Sequence, residues 1–167
     1  SPVSYKVTHS TVEAFTLGKS LSSFGDSRSG MQTGDNKLFL RLWFEVAQSN
    51  ICYDAIPGDN AESRAERWFP QPKGGSFRKW YGNLDYLVNY KDDGKDLRKF
   101  EGTSIIKNPQ YYFREGFTWS HTSTSGFSGR YLPQGTIFNV EAPTFYPMAR
   151  TDLGYIEGLL NSSVLEC

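Results

Sequence analysis

Cysteine is almost missing from this chain. Cys52 and Cys167 are the only two. They lie far apart and outside any CxxC pattern, so a disulfide framework is excluded and a reduced, cytoplasmic protein is expected. Histidine is as scarce: His9 and His121 have no partners at ligand spacing, and no metal site is expected. No apolar run approaches the roughly 18–20 residues that cross a bilayer, so no membrane partner is expected. The start, Ser1-Pro2-Val3-Ser4-Tyr5, has neither a basic nor an apolar region of the signal-peptide kind. Charge of one sign is missing too. Eighteen basic and eighteen acidic side chains cancel, so no global field steers the chain towards a polyanion, and any such site must be a local patch.

Catalytic signatures are also absent. No strand-GxGxxG-helix unit is present to hold a nucleotide cofactor. Leu17-Gly18-Lys19-Ser20 lacks the upstream glycine of a phosphate-binding loop. Ser120 and His121 lie close in sequence without a glycine-flanked nucleophile elbow, and no carboxylate pair stands out. Asn108-Pro109-Gln110-Tyr111 is similar to the Asn-Pro-Pro-Tyr loop with which DNA amino-methyltransferases hold a flipped base. Here Gln110 replaces the second proline, and the rigid geometry is lost. No catalytic, cofactor-binding or metal-ligating residue is therefore assigned.

What is present is a concentrated loop. Lys73-Gly74-Gly75-Ser76-Phe77-Arg78-Lys79-Trp80-Tyr81-Gly82-Asn83 holds glycines, adjacent cations, aromatics and an amide within one short stretch. Such a loop can approach a polyanion closely, neutralise phosphates, and stack or wedge with its rings. Arg78, Lys79, Arg114 and Arg130 are candidates for phosphates or guanine edges, and Asn36, Asn83, Gln71 and Gln134 for adenine edges. Trp80, Tyr81 and Trp119 are candidates for stacking, although tryptophans such as Trp43, Trp68 and Trp119 are more often core than contact. Neutral charge with many Trp and Tyr leaves a carbohydrate-binding β module as an alternative.

Periodicity predicts an α+β domain. Ser10-Thr11-Val12-Glu13 has the form of a capping box, opening a brief helix that ends near Leu17. Residues 22–34 read as a glycine- and serine-rich connector, and residues 38–47 as a helical turn leading into a strand. Residues 51–56 read as a strand, 60–68 as a charged helix or loop, and Phe69-Pro70-Gln71-Pro72 as a break. A strand is predicted over 86–90 and a short surface helix over 92–100. From Tyr111 onward short strands are predicted at 112–113, 117–120, 127–131 and 136–140, separated by turn-formers. That half suits a meander or partly closed sheet. Asp152 is predicted to cap a final helix whose apolar side is Leu153, Ile156, Leu159, Leu160 and Val164. That helix reads as unfinished, and the chain as a piece of a longer one.

Several segments, taken in order, carry a resemblance. Residues 28–43 contain Gln32-Thr33-Gly34-Asp35-Asn36 ahead of Phe39. Arg67-Trp68-Phe69-Pro70 with Gly74-Gly75 and Arg78-Lys79-Trp80-Tyr81-Gly82-Asn83 follows. Residues 108–119, Phe127-Ser128-Gly129-Arg130-Tyr131-Leu132-Pro133, Gly135-Thr136-Ile137-Phe138 and Gly154-Tyr155-Ile156-Glu157-Gly158-Leu159-Leu160-Asn161-Ser162 complete the series. Together they resemble the target-recognition region of PglX-type adenine-specific DNA methyltransferases of BREX phage-defence systems. Type IIG restriction-modification enzymes come next, and the last helix also resembles Type I specificity subunits. The resemblance implies one target-recognition domain over residues 1–167, with a recognition core at about 20–150 and the start of a C-terminal helix at 152–167. It implies double-stranded DNA as partner, contacted by Thr33, Asn36, Lys73, Gly74, Gly75, Arg78, Lys79, Trp80, Tyr81, Asn83, Ser120 and Arg130. It further implies an N-terminal methyltransferase domain outside this chain that transfers a methyl group from S-adenosylmethionine to adenine N6. On that expectation the present chain has no activity or cofactor of its own. Other defence-system subunits are further expected partners, so a protein-interaction module is the second alternative.

Overall fold

In chain order, the computed structural model, which describes residues 8–163, begins with helix α1 (His9–Leu17), strand β1 (Gly25–Arg28), the single-turn helix α2 (Asn36–Phe39) and β2 (Leu40–Leu42). Strands β3 (Trp68–Gln71) and β4 (Tyr86–Asn89) precede α3 (Lys91–Lys99). Strands β5 (Gly116–Trp119), β6 (Gly129–Leu132) and β7 (Thr144–Pro147) then lead into α4 (Thr151–Leu160). The strands form two antiparallel sheets, one ordered β1-β7-β5-β6 and the other β2-β4-β3. This is the β-rich α+β fold expected, with no closed barrel among the described residues.

A large aromatic core joins the two sheets. Phe69 from β3, Val88 from β4 and Leu132 from β6 are fully buried with Met31, Ile137 and Phe138 from connecting segments. Ring contacts run from Phe69 to Phe113 at 5.6 Å and from Phe138 to Tyr146 at 5.3 Å. Each such side chain contributes about 1.5–3 kcal/mol of burial free energy. A second cluster lies under α4, where Leu153 and Ile156 close over Phe117 and Phe145. These are the inward positions predicted for that helix. Leu159 is partly exposed instead, and Val164 lies outside the described residues.

Several local expectations are corrected. Phe69-Pro70-Gln71 is strand β3 rather than a break. The Pro70 carbonyl accepts from Ile137 N at 2.9 Å, on the side away from β4. Nitrogen and oxygen of one strand residue point the same way, so the N–H that proline lacks is not needed by the ladder. Residues 25–28 pair with β7 despite their polar sequence. Residues 51–56 and 136–140 form only isolated bridges, Ile51 to Trp68 and Asn139 to Met31. Residues 112–113 are not a strand because Phe113 has a left-handed backbone (φ 65°). Asp152 sits inside the first turn of α4, where its charge suits the helix dipole, and it is not the cap. Trp43 is more than half exposed, against the core reading, while Trp68 and Trp119 are part-buried.

Candidate nucleic-acid interface

The basic-aromatic loop joins β3 to β4 and is closed at its neck, where Lys73 N donates to Asn83 O at 3.0 Å. The Asn83 side chain is buried and donates to Ser76 O at 3.2 Å, bracing the loop from within. Trp80 and Asn83 both have positive φ (76° and 56°), strain that the surrounding contacts must hold. The contacts at Trp80 are clear: its N–H donates to Gly129 O at 2.9 Å and its carbonyl accepts from Tyr131 N at 2.8 Å. The backbone is thereby docked along β6 while the Trp80 ring and neighbouring Tyr81 stay largely exposed, at 54% and 62%. Arg78 is exposed, lies against Gly82 and has no ion pair among the described residues.

Arg130 does not stand on that surface. It is fully buried beneath the loop, donating to Arg78 O at 3.4 Å, Ser128 O at 3.3 Å and Ser120 Oγ at 3.2 Å, with Nε unpartnered. Burial, reinforced by the nearby Arg78 charge, lowers its pKa. A direct contact with a large partner is excluded by that burial, so Arg130 acts by holding the loop. Ser120 is buried too, and its hydroxyl accepts from Gly75 N at 3.3 Å, linking Arg130 to the glycine pair. Lys79 reaches the other way and donates to Asn161 O at 2.9 Å, with Phe77 beside it.

Gly74 and Gly75 form one wall of an open cleft of about 960 Å³, shared with Arg28, Trp119, His121, Thr122 and Glu141. A smaller cleft of about 300 Å³ lies beside it, lined by Gln32, Thr33, Gly34 and Asn36. Val140 and Glu141 belong to both, so the two clefts meet at that turn. The loop approaches it closely: a Cβ on Gly74 would lie 2.8 Å from Glu141 O, which only glycine avoids. Lys73 pairs with Glu141 at 3.3 Å and lies against the Tyr86 ring. Thr33 Oγ1 donates to Asn36 Oδ1 at 2.6 Å, leaving the Asn36 amide exposed.

Residues far apart in sequence thus meet around the turn at Val140 and Glu141: Thr33 and Asn36 in the smaller cleft, and Gly74 and Gly75 with Trp119, His121 and Thr122 in the larger, while Arg78, Trp80 and Tyr81 line neither. Sequence reasoning missed Arg28, His121 and Glu141 as lining residues. Trp119 and His121 carried a signal, since both interrupt a polar stretch, whereas nothing in the sequence singles out Glu141. Gln71, nominated as an adenine reader, is fully buried and unable to reach one. Arg114 and Gln134 line neither cleft; Arg114 lies over the Tyr111 ring at 5.1 Å. The Asn108–Tyr111 segment is occupied structurally. Asn108 Nδ2 donates to Ser29 O at 3.0 Å, and the Tyr111 hydroxyl donates to Asp26 at 2.7 Å.

Among the described residues no three or more His, Cys, Asp or Glu side chains gather as a metal site, and no helix is long and apolar enough to cross a membrane. No family model matches the chain. It is 39% identical over 140 residues to the adenine-specific methyltransferase BrxX of Escherichia coli O9:H4 (strain HS), covering 83% of this chain and 11% of that protein. It is 34% identical over 170 residues to the adenine-specific methyltransferase PglX of Lacticaseibacillus casei (strain Zhang), covering 98% of this chain and 14% of that protein. The chain therefore spans only about a seventh or less of the length of the curated relatives it matches.

Proposed function

This chain belongs with the PglX- and BrxX-type adenine-specific methyltransferases, matching one segment of them, and we propose that this segment reads duplex DNA sequence for the methyl-transferring part. The observation that carries the reading is the meeting of the Gly74-Gly75 end of the basic-aromatic loop with the cleft of Thr33 and Asn36 around the turn at Val140 and Glu141. Arg78 contacts a backbone phosphate, and Trp80 and Tyr81 wedge against the sugar edge of a groove. The exposed Asn36 amide, oriented by the buried Thr33 hydroxyl, reaches a base edge, where an amide matches the donor and acceptor of adenine. Arg130 and Ser120 position the loop without touching DNA.

The parent polypeptide transfers a methyl group from S-adenosylmethionine to adenine in double-stranded DNA within a phage-defence system of the bacterial cytoplasm. The residues described do not fit S-adenosylmethionine. Both sheets are antiparallel, with no parallel strand-turn-helix unit of the kind that holds such cofactors. The segment performs no chemistry and acts with the methyltransferase domain and other defence subunits.

Fluorescence anisotropy of this chain with a labelled duplex library, across about 50–200 mM salt, tests the reading. Binding that weakens linearly in log salt, by about 0.9 log units per log unit for each phosphate contact, supports it. Absence of duplex binding at the lowest salt refutes it.

A further inference from the structure

Glu141 is the one carboxylate among the described residues that line either cleft. A negative charge at the centre of a face that meets a polyanion is repelled by phosphates, and its position therefore needs a reason. Its backbone is rigidly set. The carbonyl accepts from His121 N at 2.9 Å, Gly74 presses against it, and the following residue, Ala142, donates to Asn139 Oδ1 at 2.9 Å. The side chain is half-exposed, with Oε2 held by Lys73 and Oε1 without a partner among the described residues. Lys73 is itself mostly buried, so it orients the carboxylate and offsets its charge in place.

Resting on the reading that this face meets a duplex groove, we infer that Glu141 is a specificity-determining residue that accepts a hydrogen bond from the exocyclic amino group of a cytosine. An ionised carboxylate only accepts. In the major groove guanine offers two acceptors, thymine an acceptor and a methyl group, and adenine an amino donor beside the N7 acceptor. Cytosine alone presents its N4 amino group without an adjoining acceptor of its own. The free Oε1 of Glu141 suits that donor, while Lys73 keeps Oε2 from turning towards the backbone.

Selection from a randomised duplex library at low salt, using this chain and its Glu141→Gln and Glu141→Ala variants, tests the assignment. Thermal unfolding run in parallel establishes that all three are folded. The wild-type chain is expected to enrich a motif containing a cytosine position. Glu141→Ala should lose roughly tenfold discrimination at that position alone. Glu141→Gln, which gains a donor, should move the preference towards adenine. A motif unchanged in Glu141→Ala, even with a uniform gain in affinity, overturns the assignment and leaves the recognition reading intact. A wild-type chain that enriches no motif overturns both.

Discussion

The side-chain amide of Asn161 closes two hydrogen bonds on Gly129. Gly129 N donates to Asn161 Oδ1 at 2.9 Å, and Asn161 Nδ2 donates to Gly129 O at 3.0 Å. The amide stands where a neighbouring strand would, at the outer edge of β6, and the Asn161 carbonyl simultaneously receives Lys79. The end of α4, the edge of the sheet and the basic loop are thereby tied at one buried point. Asn161→Ala leaves Gly129 N without its acceptor and should cost about 1–3 kcal/mol. Urea unfolding checks this: the midpoint should fall with no change in slope.

Gly129 is constrained from its other side by Phe117, whose ring would lie 1.7 Å from an added Cβ. Gly129→Ala must therefore displace a fully buried ring and should destabilise by about 1–3 kcal/mol or more. Adding Phe117→Leu to that variant should recover part of the loss. A double-mutant cycle measures the coupling, and simple additivity of the two changes would contradict the packing account.

The sequence was legible where one local pattern settled the structure. Leu153, Ile156 and Leu160 on the inward side of α4 and the strand at 86–90 read correctly. It was illegible where partners distant in the chain decided the outcome. Residues 25–28 are polar, and only pairing with β7 makes them a strand. Pro70 reads as a breaker until Ile137 is seen to take its carbonyl. Arg130 reads as a surface cation by type, and its burial under the 73–83 loop has no local signature. Gln71 misled in the same way. Glu141 enters the site only because Gly74 and His121 fold onto its backbone.

Cys52 should be unreactive in the native protein. Burial, with a hydrogen bond to Asp54, pushes its thiol from 9.0 up to about 11. With Cys167→Ser as background, a thiol-reactive disulfide reagent at pH 8 should titrate Cys52 only after denaturation. Tyr90 and Tyr131 are likewise raised from 10.0 to about 12, chiefly by burial. Groups raised in the folded state favour folding fully below their unfolded values, and that stability is lost as pH rises through the folded values. Thermal unfolding should show no loss from these groups below about pH 9, then a falling midpoint between about 9 and 12.

Arg78 and Arg130, adjacent in space, should behave differently. Arg78→Ala removes an exposed cation and should weaken duplex binding while reducing the salt slope by about one, with unfolding nearly unchanged. Arg130→Lys retains charge but cannot reproduce the hydrogen bonds to Ser120, Ser128 and the Arg78 carbonyl. It should lower the unfolding temperature. Anisotropy with a salt series, run beside thermal unfolding, separates the two effects.

The most direct measurement of the central claim is hydrogen–deuterium exchange of this chain with and without a saturating duplex. Slowed exchange confined to residues 32–36, 73–83, 119–122 and 139–142, with Lys91–Lys99 unchanged, is the predicted result. Protection confined to Lys91–Lys99, which lines neither cleft, or no protection anywhere, would contradict it.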